Sequence, residues 1–471
     1  MSEYKITVGA EVHAELKTKT KIFSNSVNGY GRTANSNVNV VDLGYPGVLP
    51  TLNKEVIELA LKAALILNCE INKRMHFDRK NYFYPDNPKN YQITQARTPI
   101  GVNGYVEIEV DGIPKKIRIH DIHIEEDTCK SIHHNKHSYL DFNRAGVPLI
   151  EIVTEPDMHS DKEAVLYLEK LRELLLYADI SDCKIEEGSM RCDVNVSVSK
   201  KEELGTKIEV KNIGSISNVG LAIRKETERQ ISLLEQGVVL HEETRRLDEK
   251  TEQTVLMRVK ETGNDYRYFP EPDIPFVVLE DEYIEKVKNN IPMLASERRE
   301  FYLDHGISLL NANKIIQNRA ISNYLIPFMS TDMNFIIASN ILLGDISFYL
   351  NKNDTSLDKT TLTNEKFYSL VKMMDQDKIN SKILKEILND VLETNLSIEE
   401  ILEKHNIKEM SIEELEEVVK ETLSENEASV TDYKNGNEKA LKYLMGQTMK
   451  KTKGNAKPLD VEEMLKKLLS N

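Results

Sequence analysis

The hydrophobic period of this sequence changes near residue 292, and the change divides the fold into two parts. Before about Pro275, apolar and polar residues alternate over short runs, as in the segments 105–119 (YVEIEVDGIPKKIRI) and 191–212. The first segment turns at Asp111-Gly112, and this pattern is typical of antiparallel hairpins. Helices are predicted between the strands, over 55–67, 161–178 and 218–236. We therefore predict a mixed α and β domain with a largely antiparallel sheet.

The remainder of the chain has the pattern of an all-helical protein. Three segments share a helix-start signal, in which Ser or Asp is followed three residues later by Glu, at Ser397, Ser411 and Asp460. The short spacing of the helices predicted at 397–405 and 411–424 indicates a small bundle. The predicted fold class is α+β, with a sheet domain over 1–292, a helical domain over 293–405 and a small helical tail over 406–471.

Composition excludes several classes of protein. No apolar run approaches the ~20 residues of a membrane span, and the N-terminal sequence lacks the layout of a signal peptide. We therefore expect a cytoplasmic protein without membrane contact. The four cysteines form no C-x-x-C pair, which argues against a zinc cluster or a disulfide framework. The net charge of −15 argues against a general nucleic-acid coat.

Several predicted strands carry acidic residues opposite their apolar face. In ITVGAEVHAEL the alternation places Glu11, His13 and Glu15 side by side. Glu151 is set within the apolar run PLIEIV, where a purely structural strand rarely has a charge. The other polar-face residues are His123, Glu125, Asp193, Asn195, Glu209 and Lys211. Such faces are usually just solvated. The functional alternative is that the carboxylates and one histidine converge on a hard cation such as Mg²⁺ or Mn²⁺.

The segment 77–95, FDRKNYFYPDNPKNYQITQ, gathers five aromatic residues next to three cations. It is too rich in Pro and Asn for a helix. One interpretation is a buried loop between strands; the other is a surface that recognises a planar anion such as a nucleotide. The sequence has no P-loop, Rossmann, protein-kinase or G-x-S-x-G motif. An ATP site in this chain therefore has to be of a less familiar kind.

A set of motifs in order along the chain resembles one known family. The motifs are GAEVHAELKT, YPGVLPTLN, FDRKNYFYPDNPKNYQITQ, IEEDTCKS, DFNRAGVPLIEIVTEPD, EEGSMRCDVNVSV, ETRRLDEKTEQTVLMRVKE and DYRYFPEPDIP. Together they resemble the B subunits of the tRNA-dependent amidotransferase GatCAB. The resemblance runs from Glu11 to Pro275 and continues more weakly through the helical part to residue 458.

The resemblance implies a fold, a reaction and partners. The N-terminal region is expected to form a cradle, followed by a helical domain and a helical tail. Members of this family are expected to phosphorylate the side-chain carboxyl of Glu-tRNA(Gln) or Asp-tRNA(Asn) with ATP and Mg²⁺. Ammonia from an amidase A subunit then displaces the phosphate, and a small C subunit clamps the other two together. The competing interpretations are a non-catalytic tRNA-holding subunit and an ATP-grasp-like ligase for a free small acid.

The resemblance also assigns roles to individual residues. It makes His13, Glu125 and Glu151 ligands of one Mg²⁺, with Glu126 as an alternative to its neighbour. The candidates for a second metal are Glu11, Asp193 and Glu209, the expected catalytic residues are Glu11, Glu125 and Arg191, and the expected nucleotide contacts are Arg79, Lys80, Tyr82, Lys211 and Arg267. For Tyr82 the role is stacking on adenine; for Arg267 the alternative is a structural Pro-rich turn.

The C-terminal tail carries a local excess of positive charge. Between residues 434 and 458 there are seven lysines and a single acid, Glu438, which gives +6 in a chain of −15. Lysine runs often only keep a helix soluble. The family resemblance assigns the tail to tRNA, and such contact is expected to be mainly to phosphate and sensitive to salt.

Overall fold

The computed structural model describes residues 4–259, 266–407, 411–452 and 456–470. The chain divides into two compact units, Met1–Ala295 and Ser296–Asn471. In the described part of the chain every strand lies in the first unit. The α+β class is therefore confirmed, and the domain boundaries at 292 and 405 stay predictions. None of the described helices has the length and apolar character needed to cross a membrane.

Sixteen strands, four of them of 10 to 14 residues, lie in the described part of the first unit. In chain order they are β1 (Lys5–Glu15), β2 (Glu70–Ile71), β3 (Arg74–Met75), β4 (Asp78–Asn81), β5 (Tyr91–Thr94), β6 (Gly101–Val110), β7 (Ile113–Glu126), β8 (Lys130–His134), β9 (His137–Asp141), β10 (Pro148–Thr154), β11 (Met190–Ser199), β12 (Ile208–Lys211), β13 (Glu243–Asp248), β14 (Gln253–Val259), β15 (Phe269–Pro270) and β16 (Val277–Val278).

Nine of these strands form one sheet in the order β14-β13-β12-β11-β1-β10-β7-β6-β2. All neighbours in it are antiparallel except β12 and β13. The predicted hairpin is the β6–β7 pair. Its turn residues, Asp111 and Gly112, have φ of 53° and 82°, the left-handed conformations that a two-residue hairpin turn of type I′ requires. Strands β15, β4 and β5 form a separate small sheet.

Helices cover one face of the large sheet. They are α1 (Lys54–Ile66), α2 (Asp161–Tyr177) and α3 (Ile216–Glu235); a fourth helix, α4 (Asp281–Asn289), packs on α1. The first three differ from the predicted bounds by one or two residues, and their N-caps are Asn53, Ser160 and Ser215. The even-numbered residues of β1, Val8 to Ala14, belong to the same buried core as these helices. The odd-numbered residues of β1 therefore point to the opposite face of the sheet.

The rest of the chain is helical in the described residues. Its helices are α5 (Ala295–Asp304), α6 (Leu309–Gln317), α7 (Arg319–Leu325), α8 (Phe335–Ile341), α9 (Ser347–Lys352), α10 (Asn364–Asp375), α11 (Ser381–Glu393), α12 (Ile398–Lys404), α13 (Ile412–Glu425), α14 (Glu427–Lys434), α15 (Glu438–Lys451) and α16 (Pro458–Leu469). The helices predicted at 397–405 and 411–424 do not share a core. Helix α12 packs on α10 and α11, whereas α13 packs on α15 and α16.

Two of the three predicted capping boxes form, and the third prediction is wrong. Ser397 and Ser411 each exchange hydrogen bonds with the Glu three residues on. Asp460 is not an N-cap, because helix α16 begins two residues earlier with Pro458 as its first residue. Proline is favoured there, since its fixed φ suits the first turn and its missing N–H is not needed. Asp460 then lies inside the first turn, where its charge complements the helix dipole.

Candidate functional site

The register of four central strands lines up polar side chains on the face of the sheet opposite the helices. Arg191 on β11 lies directly opposite His13 on β1, His13 lies opposite Glu151 on β10, and Glu151 lies opposite His123 on β7. Neighbouring residues in such a row have Cβ atoms about 5 Å apart. Residues that are distant in sequence thus form one continuous polar row.

Three members of this face are close enough to share a cation. His13 Nε2 lies 3.3 Å from Glu125 Oε1 and 3.3 Å from Glu151 Oε2. One ligand atom from each of the three residues lies within 4.8 Å of the others, and this is the single such group in the described residues. Glu125 is 3% exposed, and its second oxygen, Oε2, is buried without a hydrogen-bond partner. An unpaired buried carboxylate oxygen is costly, so these residues fit a bound metal ion.

The charges of this cluster strongly shift the pKa values of its own members. Burial lowers the pKa of His13, but the carboxylates of Glu151 and Glu125 outweigh burial and raise that pKa to about 10. Burial raises the pKa of Glu151, but His13 and His123 bring it well below its usual value. His123 connects this cluster to a further carboxylate. Its Nε2 atom lies 3.0 Å from Glu151 Oε2, and its Nδ1 atom lies 2.8 Å from Asp121 Oδ1. In the absence of a metal the cluster therefore holds protonated imidazole between carboxylates.

Two of the three predicted second-metal residues, Asp193 and Glu209, contact a lysine. Lys211 Nζ lies 2.9 Å from Asp193 Oδ2 and 2.8 Å from Glu209 Oε1. Glu209 also accepts a hydrogen bond of 3.0 Å from the Thr244 hydroxyl, and Glu11 accepts one of 2.9 Å from Asn195 Nδ2. The ammonium group thus occupies the place between two of the three carboxylates. The second-metal role of these residues stays a prediction.

A cavity of about 320 Å³ opens beside the cluster. Of the residues predicted from sequence, the cavity is lined by His13, Lys80, Tyr82, Glu125, Arg191, Asp193 and Lys211. Lys80 interacts electrostatically with the cluster. Burial lowers its pKa, but the carboxylates of Glu125 and Glu151 outweigh burial and raise that pKa. Three cations thus line the cavity next to the carboxylate cluster, an arrangement that can bind an anionic group and a metal ion together.

Arg79 does not reach this cavity. Its guanidinium donates two hydrogen bonds to Glu271, of 2.6 and 2.8 Å, and a third of 3.2 Å to Asp273. It also lies 4.2 Å from the centre of the Tyr91 ring. The reason is the alternation of β4, which sends Arg79 and Lys80 to opposite faces. Arg79 therefore links β4 to the segment after β15, and of the two neighbours Lys80 is the one that lines the cavity.

The segment 77–95, called here the aromatic loop, contributes one residue, Tyr82, to the wall of the cavity and exposes others to solvent. The Tyr82 hydroxyl donates a hydrogen bond of 2.8 Å to Gln92 Oε1, whereas Phe83 is 87% exposed and Tyr84 is 57% exposed. Arg267, which does not line the cavity, has a left-handed φ of 48°, and its carbonyl accepts a bond of 2.9 Å from Asn81 Nδ2. Its neighbour Asp265, part of the same motif, lies outside the described residues.

Glu125 and Glu126 point to opposite sides of β7. Glu126 forms an ion pair with Lys89 and accepts a hydrogen bond of 2.9 Å from the Ile93 amide. It therefore holds the loop in place, and Glu125 is the residue at the cluster. Sequence reasoning missed Asp127, Arg144 and Asp121. Asp127 could have been found by continuing the two-residue alternation from His123 and Glu125. Arg144 could not, because it lies in a turn where side chains do not alternate regularly.

The chain is similar to known proteins over nearly its full length. Residues 6–285 match the family described as the GatB/GatE catalytic domain, and residues 330–469 match the family described as the GatB domain. The chain is 46% identical over 466 residues to the B subunit of the aspartyl/glutamyl-tRNA(Asn/Gln) amidotransferase of Lysinibacillus sphaericus (strain C3-41), with 98% of both chains covered. It is 45% identical over 472 residues to the protein of the same description from Enterococcus faecalis (strain ATCC 700802 / V583), with 99% of both covered.

Proposed function

This chain belongs to the family of B subunits of aspartyl/glutamyl-tRNA(Asn/Gln) amidotransferases, and we propose that its polar sheet face carries out the ATP-dependent step of that reaction. The substrate is the side-chain carboxyl of Glu-tRNA(Gln) or Asp-tRNA(Asn). A carboxylate is a poor acyl donor, and its conversion to an acyl phosphate supplies a leaving group that ammonia can displace. The observation that carries this proposal is the cluster of buried Glu125 with partly buried His13 and Glu151, beside a cavity lined by cations.

His13, Glu125 and Glu151 would hold Mg²⁺. Their donor set, two carboxylates and one imidazole, suits a hard divalent cation, and Glu125 Oε2 has no other partner in the described structure. When bound, Mg²⁺ neutralises charge on the transferring phosphoryl group. The chain's own part is to keep His13 pointing at both carboxylates and to keep Glu151 fixed through His123.

The cations of the cavity would bind the phosphates and orient the reacting carboxyl. Lys80, Arg191 and Lys211 all line it, and positioned cations stabilise negative charge that develops during phosphoryl transfer. Fixed orientation of the two reactants supplies a further part of the rate enhancement. Tyr82 forms part of the same wall, and its exposed neighbours Phe83 and Tyr84 offer ring faces to an adenine or to a base of the tRNA.

Partners follow from the family. The relatives are named as B subunits, and we propose that this chain assembles in the cytoplasm with an amidase A subunit, which supplies ammonia, and a small C subunit. The mischarged tRNA brings the carboxyl to be amidated. Of the seven lysines between 434 and 458, Lys451 is paired with Glu421 and Glu425, and the others would contact the phosphates of the tRNA. Lys453 lies outside the described residues.

The decisive experiment measures ATP hydrolysis and amide formation separately in the assembled complex. We expect ATP to be consumed when mischarged Glu-tRNA or Asp-tRNA is present, and not with uncharged tRNA or with free glutamate. ATP turnover on the free acid would favour an ATP-grasp-like ligase. Amide formation that does not require ATP would contradict the proposal, as would evidence that this chain only holds tRNA.

Lys80 and Arg79 are expected to differ in their effects on ATP use. Lys80→Met should raise the KM for ATP about tenfold or more, since a charge-assisted hydrogen bond contributes about 1.5–3 kcal/mol. Arg79→Met should leave that KM nearly unchanged and lower the thermal stability, because it strands the buried carboxylate of Glu271. Breaking such a pair costs about 3 kcal/mol. ATP titrations and thermal melts of both variants check this. A larger ATP effect for the Arg79 variant would restore the prediction made from sequence.

Metal binding is expected to strengthen as pH rises. The pKa of His13, raised to about 10, means that the metal-free imidazole is protonated at pH 7. A metal ligand must be deprotonated, so Mg²⁺ has to displace this proton. Below pH 10 each unit of pH should therefore tighten binding about tenfold. Calorimetric titration with Mg²⁺ at pH 7 and pH 8 measures this, and equal affinities at the two pH values would remove His13 from the ligand set.

A further inference from the structure

Two arginines meet on one buried carboxylate, that of Asp127, at the edge of the cavity. Asp127 is 5% exposed. Arg144 donates to it through Nε and, at 3.1 Å, through Nη2. Arg191 donates through Nη2 to Oδ2 at 3.0 Å. The single carboxylate therefore fixes two guanidinium groups that come from different parts of the chain.

Asp127 is itself held from two sides. Arg144 belongs to the short 3-10 turn Phe142–Arg144, which is tied to the loop at Thr33 by a hydrogen bond of 2.7 Å from Asn143 Nδ2. On the other side, the amide of Thr128 donates to Asp127 Oδ1 at 2.9 Å. The Thr128 hydroxyl donates to Asp86 of the aromatic loop at 3.2 Å. The position of the carboxylate is thus fixed independently of Arg191.

Arg191 depends on this carboxylate. Its side chain lines the cavity and lies on β11 directly opposite His13. Its Nε is buried and has no hydrogen-bond partner in the described structure, and Asp127 is the only carboxylate within ion-pair distance of it among the described residues. Arginine has a flexible side chain, and its fork orients an anionic group well only when it is fixed.

We propose that Asp127 is a positioning residue that aims the guanidinium of Arg191 into the cavity, where it binds anionic oxygens of the reacting groups. This rests on the proposed function, because the anion is either the substrate carboxyl or the phosphoryl group of ATP. Asp127 does not touch the substrate in this scheme. A guanidinium displaced by about 1 Å loses its alignment with the reacting oxygens, and such misplacement lowers rates by about 100-fold.

The test is a double-mutant cycle in the assembled complex. We expect Asp127→Asn to lower kcat/KM for amidation about 100-fold. Because Asp127 acts through Arg191, the double variant Asp127→Asn, Arg191→Ala should be no worse than Arg191→Ala alone, within about threefold. The KM values identify the anion: a rise for mischarged tRNA indicates the carboxyl, and a rise for ATP indicates the phosphoryl group. Losses that multiply in the double variant would overturn the proposal.

Asp42→Asn is a matched structural control. Asp42 is 6% exposed and pairs with the buried Lys21 in the same unit of the chain, but it does not line the cavity of the proposed site. Both Asn variants should lower the melting temperature, and only that of Asp127 should lower kcat/KM strongly. Equal catalytic losses for the two would reduce Asp127 to a structural role.

A second substitution guards against loss of the fold. Asp127→Glu keeps the charge but lengthens the side chain, so it should melt near the wild-type temperature and lose about tenfold in kcat/KM. Full activity of this variant would overturn the positioning role. Absence of ATP-dependent amidation in the wild-type complex would instead refute the proposed function, which separates the two failures.

Discussion

Complexes that carry Glu125→Gln or Glu151→Gln will hydrolyse glutamine at a nearly normal rate and form almost no amide on tRNA. Each substitution keeps the shape of the side chain and removes one of the two carboxylates that bracket His13 at 3.3 Å. Loss of a group that stabilises charge in the transition state lowers rates by up to about 10³-fold. Amide formation is followed with radiolabelled aminoacyl-tRNA, and glutaminase activity is measured in the same samples.

Glu126→Gln is the control for this experiment. Glu126 is 4% exposed and Glu125 is 3% exposed, and the two are adjacent in sequence. The side chain of Glu126 turns to Lys89 instead of the cluster, so its substitution should reduce stability and keep most of the amidation. The metal-site assignment fails if all three variants are equally inactive, or if the first two amidate normally.

Removal of residues 408–471 will weaken tRNA binding and make it less dependent on salt. The helices α13, α15 and α16 have a core of their own, so the cut leaves α12 packed and Lys404 bonded to Asp390. Within the lysine-rich stretch 434–458, the exposed lysines among the described residues are Lys434, Lys439, Lys442 and Lys450. Each phosphate contact contributes about 0.7–0.9 to the slope of log K against log salt, so four contacts would lower the slope by about 3.

The tail truncation is checked by tRNA affinity at several salt concentrations. The truncated complex should still hydrolyse glutamine and should amidate slowly when tRNA is scarce. Lys451 offers an internal control, because it is paired with Glu421 and Glu425 and its substitution by Ala should change the slope little. Unchanged affinity of the truncated complex at physiological salt would exclude the tail as a tRNA-binding element.

Local periodicity was sufficient to predict which residues share the polar face. The alternation in β1 and β7 put Glu11 with His13 and His123 with Glu125, because side-chain direction in a strand depends only on position. It could not predict which strands are neighbours, since β1 lies between β10 and β11 and pairs with residues more than 130 positions away. The family resemblance supplied that grouping of residues.

Two features depended on contacts that sequence does not reveal. Arg79 was expected, from the family resemblance, to contact the nucleotide, and its partner Glu271 is 192 residues away. Likewise, Lys211 was expected to touch the nucleotide, and the structure shows that it also balances the charges of Asp193 and Glu209. In both cases the chemistry of the residue was evident, and its counter-ion was set by tertiary structure.

The construction of the site on one continuous sheet has a consequence for how this protein can evolve. His13, Glu151, His123 and Arg191 are brought together solely by the register of four hydrogen-bonded strands. A point substitution alters one member of the row. Deletion of one residue of β1 before Glu11 would turn Glu11 and His13 towards the helices and bring Val12 to the polar face. Insertions and deletions should therefore be confined to the loops, whereas the lengths of these four strands are fixed.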